Sequence, residues 1–294
     1  MEWKTRVTDL LGCQYPILQG AIAGWGNWEF AAAVARAGAH GTITGTISRT
    51  PERLREDIRR CRDASAGAPG TFGVNLSIGL VNQIEEMLEV CLDEGVPVET
   101  SVYKPDALAP RIKEAGAKWI HKAARVKDAL HAVEFGPDAI IMVGLEGAGI
   151  KSPEQLPTMT TTIWGAKQIT VPLIAAGGIG DAHGFLAALA MGAEGIMMGT
   201  AFMATKECPM KDTAKEEMIQ LSPADPELRQ RVMVPVQFRM NDASRAEPSA
   251  PASGPNVSFT VGVLDCIPTV KELIDGIIQG AEEILESWQS LRMR

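Results

Sequence analysis

The sequence predicts an α/β protein, a closed (β/α)8 barrel with a small helical insertion after the eighth strand. Three observations carry this reading. Eight short apolar runs, nearly free of charge, recur between residues 17 and 202. Segments of helical period separate them. Successive runs start 21 to 34 residues apart, the length of one βα unit. Strands that alternate with helices lie parallel, and parallel strands covered on both faces carry few charges. Eight units in sequence fit a closed barrel. An open doubly wound sheet is the alternative, and periodicity alone does not separate the two.

The first strand is ILQGAIAG from 17, followed by an alanine-rich helix over 27–37 with Asn27 as its N-cap. HGTITG from 40 is the second. Thr50 and Pro51 then open a helix over 51–64, a hydroxyl cap followed by proline at the first helical position, where its missing N–H is not needed. The third and fourth strands are TFGVNLSI from 71 and VPVETSVY from 96, with a helix over 81–94 between them. Helices over 106–115 and 126–135 flank the fifth strand, KWIHKA from 118, and AIIMVGLE from 139 is the sixth. All these helices show apolar residues at helical spacing.

Residues 173–205, LIAAGGIGDAHGFLAALAMGAEGIMMGTAFMAT, are the most informative stretch. They read as strand, glycine turn (Gly177, Gly178), helix over 181–191, strand, and a second turn (Gly199, Thr200). Both turns fall at strand carboxyl ends on the same edge of the sheet. Glycines let backbone N–H groups approach an anion closely, and the loops after the last two strands of barrel enzymes form a standard phosphate site. Two ordinary βα turns are the bland reading; their consecutive placement favours phosphate binding.

The barrel is assigned to 1–205 and 258–294 and the insertion to 206–257. The insertion holds two short polar helices, then VMVPVQFRM, then NDASRAEPSAPASGPNV over 241–257, a composition that buries little and reads as an exposed loop or lid. A long amphipathic helix over 267–287 closes the outer ring. Methionines 197, 198 and 203 read as core filler. Trp25 and Trp164 lie near loops expected at the active end.

The bulk properties exclude several classes. A net charge of −8 and a pI near 5.2 disfavour nucleic acid and anionic membranes, which leaves a small-molecule partner. No apolar stretch reaches the roughly 20 residues of a membrane span, and the first residues lack the pattern of a signal peptide. Five scattered cysteines and four scattered histidines show no ligand spacing. The expectation is a cytoplasmic protein with reduced thiols and no metal. A homodimer is the commonest assembly for such a chain.

PILQGAIAG at 16, AAAVARAGAHGTITG at 31, FGVNL at 72, IHK at 120, VGLEGAG at 143, PLIAAGGIGDAHG at 172 and GAEGIMMGTAFMAT at 192 together resemble the nitronate monooxygenase (2-nitropropane dioxygenase) family, which includes the FMN-dependent enoyl reductases. The resemblance spans about 200 residues and implies a TIM barrel, a flavoprotein oxidoreductase and FMN as cofactor. Carried over, Gly177, Gly178, Gly199 and Thr200 would hold the FMN phosphate. Ala21, Ala23 and Gly24 would pass beside the ring, with Gly144 also at the cofactor. Asn75 would bond the polar edge of the flavin, and Lys122 would stabilise negative charge on the reduced ring. Each has a structural counterpart: a tight first loop, a strand-end cap, a solvated lysine. If Lys122 faces the flavin, His121 on the same strand faces the outer helices.

The chain departs from the family after the sixth strand. The family's pattern there resembles E-A-G-G-H, but this sequence reads Glu146-Gly147-Ala148-Gly149-Ile150. Isoleucine moves no proton, and a general acid or base contributes about 10²–10⁴-fold. Glu146 is the first substitute candidate and Lys151 the second. Glu146 also reads as a structural carboxylate accepting backbone N–H bonds, and Lys151 as an exposed loop lysine. His183, opening a helix, faces the phosphate or solvent.

Four functions follow. The first is an FMN enzyme that oxidises a nitronate or similar stabilised carbanion with O2, a substrate that needs no deprotonation. The second is an FMN- and NAD(P)H-dependent reductase of an activated C=C bond. The third is a flavin-binding module whose catalysis has decayed. The fourth is a flavin-free phosphate-binding barrel.

Overall fold

The computed structural model describes residues 3–150, 152, 154–233 and 256–291. The chain opens with α1 (Arg6–Leu11), β1 (Ile17–Gln19), α2 (Trp28–Arg36) and β2 (His40–Thr44). Next come α3 (Gly45–Ser48), α4 (Pro51–Ala64), β3 (Thr71–Ser77), α5 (Ile84–Asp93) and β4 (Val98–Ser101). The second half adds α6 (Ala109–Glu114), β5 (Trp119–Ala123), α7 (Val126–Val133), β6 (Ala139–Val143), α8 (Thr158–Ala166), β7 (Leu173–Ala176), α9 (Ala182–Ala190) and β8 (Gly195–Met198). After β8 follow α10 (Thr200–Met203), α11 (Asp212–Ile219), α12 (Pro226–Met233), a 3-10 turn (Phe259–Val263) and α13 (Val270–Leu291).

All eight strands pair in parallel with their neighbours in chain order. β8 returns to β1 through Ile17 and Ile196, Leu18 and Met197, and Gln19 and Met198. The barrel is therefore closed, and the open-sheet alternative falls. The local signals act as expected. The Asn27 side chain accepts from the Phe30 N–H, and Thr50 Oγ1 from the Arg53 N–H ahead of which Pro51 sits; the structure adds a cap at Asp181, which accepts from the Gly184 N–H.

The core has an inner and an outer layer. Leu18, Ile120, Ile141, Ile174 and Met197 fill the barrel, and Val7 and Leu11 of α1 pack against them. Trp119, Ile58, Met87 and Ile112 lie in the layer between β-strands and helices, as do Met198 and Met203 on the other side. Burying side chains of this size contributes about 1.5–3 kcal/mol each. α13 packs on α9 and α2 and so completes the outer ring. The expected loop over 241–257 lies outside the described residues except at Asn256 and Val257, and VMVPVQFRM except at its first two residues.

Two histidines are buried in this frame. His40 bonds Thr71 Oγ1 at 2.9 Å, and burial, helped by Lys118, pushes it down to about 3. His121 faces outward beside Trp119 and bonds Thr100 Oγ1 at 2.8 Å; burial pushes it down to about 4. Both fold neutral and charge readily only when unfolded, near 6.5. Their contribution is therefore present above about pH 6.5 and is lost as the pH falls toward 3–4. Urea midpoints measured from pH 7.5 to 4 should decline, with up to about two protons taken up on unfolding from these sites. A His40→Gln, His121→Gln double variant should show a flatter decline.

Candidate functional site at the barrel mouth

The two glycine turns lie side by side because β7 and β8 are neighbours. Gly177 and Gly178 have φ of +102° and +76°, a region that glycine enters without cost. A Cβ on Gly177 would stand 2.9 Å from the Gly147 nitrogen, so the β6 loop packs directly against this turn. Gly199 differs: its φ is ordinary, and a Cβ there would meet nothing within 4 Å. Among the described residues, none of the loop hydrogen bonds uses the amides of Gly177, Gly178, Gly199 or Thr200. Thr200 Oγ1 accepts from the Ser258 N–H at 2.9 Å, which leaves its own hydroxyl proton available to donate.

A strap over 257–263 ties these loops together. Besides the Ser258 bond, Phe259 N–H donates to the Glu146 carbonyl at 3.1 Å and Thr260 Oγ1 to the Ile179 carbonyl at 3.4 Å. Behind the turns, on the helix side, a cavity of about 300 Å³ opens between α9, α10 and α13. His183 stands at its rim with its side chain 81% exposed, facing solvent.

The β6 loop is built on Gly144 and Glu146. A Cβ on Gly144 would stand 2.4 Å from the Thr158 nitrogen, so glycine there lets α8 begin directly on the strand end. The Gly144 N–H donates to the Ala176 carbonyl, and its own carbonyl accepts from Gln155 and the Gly147 N–H. Both polar groups of Gly144 thus serve the loop. Glu146 accepts from the Thr158 N–H at 2.7 Å and from Thr158 Oγ1 at 2.8 Å. The carboxylate thus holds Thr158, the first residue of α8. Ile150 is half-buried after Gly149, whose φ is +97°. Lys151 lies outside the described residues.

The β1 loop passes the mouth with Ala21 half-buried and Ala23 and Gly24 exposed. It is pinned to β2 by the Ile22 N–H donating to Thr44 Oγ1 at 3.0 Å. Trp25 packs partly buried on the outer core, whereas Trp164 sits near the end of α8, which runs away from the mouth, and so does not lie at the active end.

Inside the mouth the sequence reading missed a polar network. Asn75 is fully buried; its amide donates to Glu99 Oε1 at 2.9 Å and to Ser101 Oγ at 3.1 Å. Ser77 Oγ donates to Asn75 Oδ1 at 2.8 Å, and Ser77 and Ser101 hydroxyls stand 3.2 Å apart. Lys122 Nζ stands 3.9 Å from Glu99 Oε1. Burial pushes the Glu99 carboxyl up, against the pull of Lys122 and the Asn75 bond. Val102, just beyond Ser101, holds φ at +80°, a strained conformation for a β-branched residue that costs roughly 1–3 kcal/mol. The charged residue inside an otherwise uncharged strand, VETS, was the available signal for Glu99.

Fold and mouth together define a (β/α)8 barrel with glycine turns after its last two strands, the class in which phosphorylated ligands are held. The chain belongs to the nitronate monooxygenase family, an oxidoreductase family whose members are flavin enzymes; the family model matches residues 4–245. Among curated relatives, it is 32% identical over 222 residues to (3aS,4S,5R,7aS)-5-hydroxy-7a-methyl-1-oxo-octahydro-1H-indene-4-carboxyl-CoA dehydrogenase of Mycobacterium tuberculosis, covering 75% of this chain and 61% of the relative. The chain thus spans under two thirds of that relative's length. A probable nitronate monooxygenase of Staphylococcus aureus is 29% identical over 267 residues, 76% of this chain and 74% of its own. FabK from Thermotoga maritima superposes with a TM-score of 0.82 at 29% identity over 98% of this chain and 99% of its own. A nitroalkane oxidase from Streptomyces ansochromogenes shares the fold, with a TM-score of 0.77 at 20% identity, covering 96% and 100%. No described helix is long and apolar enough to cross a membrane.

Glu146→Ala should lower stability by about 1 kcal/mol, the usual loss when a side chain bonded to a helix-start N–H is removed, read from urea denaturation. Lost turnover at unchanged stability would instead mark Glu146 as a reacting group.

Proposed function

We propose that the chain is an FMN-dependent oxidoreductase that takes electrons from a nitronate or similarly stabilised carbanion and passes them to O2. The observation that carries this reading is the β7–β8 pair of turns. Its amides are unengaged among the described residues and Gly199 opens onto free space, so a phosphate can approach where a side chain would stand. Gly178, Gly199 and Thr200 hold the FMN phosphate, with Gly177 shaping the turn. Ala21, Ala23 and Gly24 leave room beside the ring. When bound, FMN supplies the two-electron chemistry that no side chain supplies. Lys122, at the mouth, supplies positive charge to an anionic substrate or reduced ring. No proton-moving group replaces the family histidine in the described part of the β6 loop, because Glu146 holds the start of α8 and Ile150 is inert. This favours a substrate that arrives already deprotonated.

The FabK likeness over nearly the whole chain favours a second reading, an NAD(P)H-dependent reductase of an activated C=C bond. The two part on one experiment. Purified protein should be yellow, and a nitronate mixed under nitrogen should bleach it within the mixing time while NADH and NADPH do not. Bleaching by a nicotinamide alone supports the reductase; colourless protein overturns both readings.

Gly199→Val tests the anchor itself. The site has room for the side chain and an ordinary φ, so the fold should melt unchanged. FMN affinity, titrated by flavin fluorescence, should fall on the order of tenfold or more, about 1.4 kcal/mol.

A further inference from the structure

We infer that Glu99 is a positioning residue whose buried charge sets the electrostatics of the barrel mouth, by aiming Asn75 and offsetting Lys122. This rests on the flavin reading above.

The geometry leaves Glu99 little choice of role. It is the second of four residues in β4, one layer below Ser101 at the strand end, so it lies beneath the mouth rather than in it. Its neighbours are fixed. The Asn75 amide has two protons, one donated to Ser101 and the other to Glu99 Oε1. Ser77 donates to the Asn75 oxygen, which forces Ser101 to donate to Ser77 and closes the ring of bonds. Every proton in the ring is thereby placed, and Glu99 Oε1 is its terminal acceptor. The charge that faces Glu99 is Lys122 from β5, 3.9 Å away, while β3 presents the neutral Asn75 and Ser77. The Glu99 side chain is 8% exposed and that of Lys122 25%, so neither charge is well screened by water.

A like-charge residue beneath the mouth opposes electrons arriving there, and Lys122 favours them. The pair holds the mouth close to electrical balance. Removing the carboxylate leaves Lys122 uncompensated, so the reduced, more anionic flavin gains stability.

The experiment is spectroelectrochemistry of the purified flavoprotein. Glu99→Gln, which keeps an acceptor for Asn75, should raise the midpoint potential by at least a tenfold change in the two-electron equilibrium, about 30 mV. Lys122→Met should move it the opposite way, and this second variant, at a partly exposed side chain, keeps the test open if Glu99→Gln does not fold. Glu99→Asp should fall between wild type and Glu99→Gln. A yellow Glu99→Gln protein with the wild-type potential overturns the inference. So does a Lys122→Met protein with that potential. A colourless wild type would instead overturn the flavin reading.

Discussion

The mouth of this barrel depends on backbone meeting backbone at three glycines. Gly144 lies under the first residue of α8, Gly147 against Gly177, and Gly177 against the carbonyl of Gly144. A single Cβ at Gly144 or Gly177 would come within about 3 Å of main-chain atoms, which do not yield as a flexible side chain does. Because the β6 loop and the β7 turn are pressed together, the Glu146 carboxylate reaches Thr158 and the strap over 257–263 reaches all three final loops. The position of the Gly199 turn, and hence the hollow it borders, follows from that stack.

How much of this was legible in the sequence depends on whether the cause was local. All eight strands were, because buried parallel strands must be apolar and short. The caps at Asn27 and Thr50 were, because cap and helix are adjacent. α8 was not: TMTTTIWGA has no charged face to give a period, and four threonines favour strand over helix. Its start is held by Glu146, twelve residues upstream across a loop, and such a signal is invisible to a local window. α1 was missed for a related reason, since six residues hold too few turns to show a period.

The site divides along the same line. The glycine turns announce themselves in sequence because glycine has few other uses at consecutive strand ends. The Asn75–Glu99–Lys122 network does not, since its members come from three strands and are joined only by the register of neighbouring strands. Asn75 was read as a partner for the flavin edge, yet both ends of its amide are bonded within the protein. Glu99, Ser101 and Ser77 together hold it as a buried part of the wall.

An acidic protein that binds an anion must do so with local donors. With a net charge of −8 the overall field repels a phosphate. On the function proposed here, the amides of the last two turns would answer this with dipoles that carry no net charge. The mouth answers it differently, with an ammonium partly balanced by a buried carboxylate. On the same proposal Lys122, balanced by Glu99 3.9 Å away, adds attraction chiefly when charge builds up beside it. That distinction, between a site that attracts anions and one that stabilises charge as it develops, is the one catalysis requires.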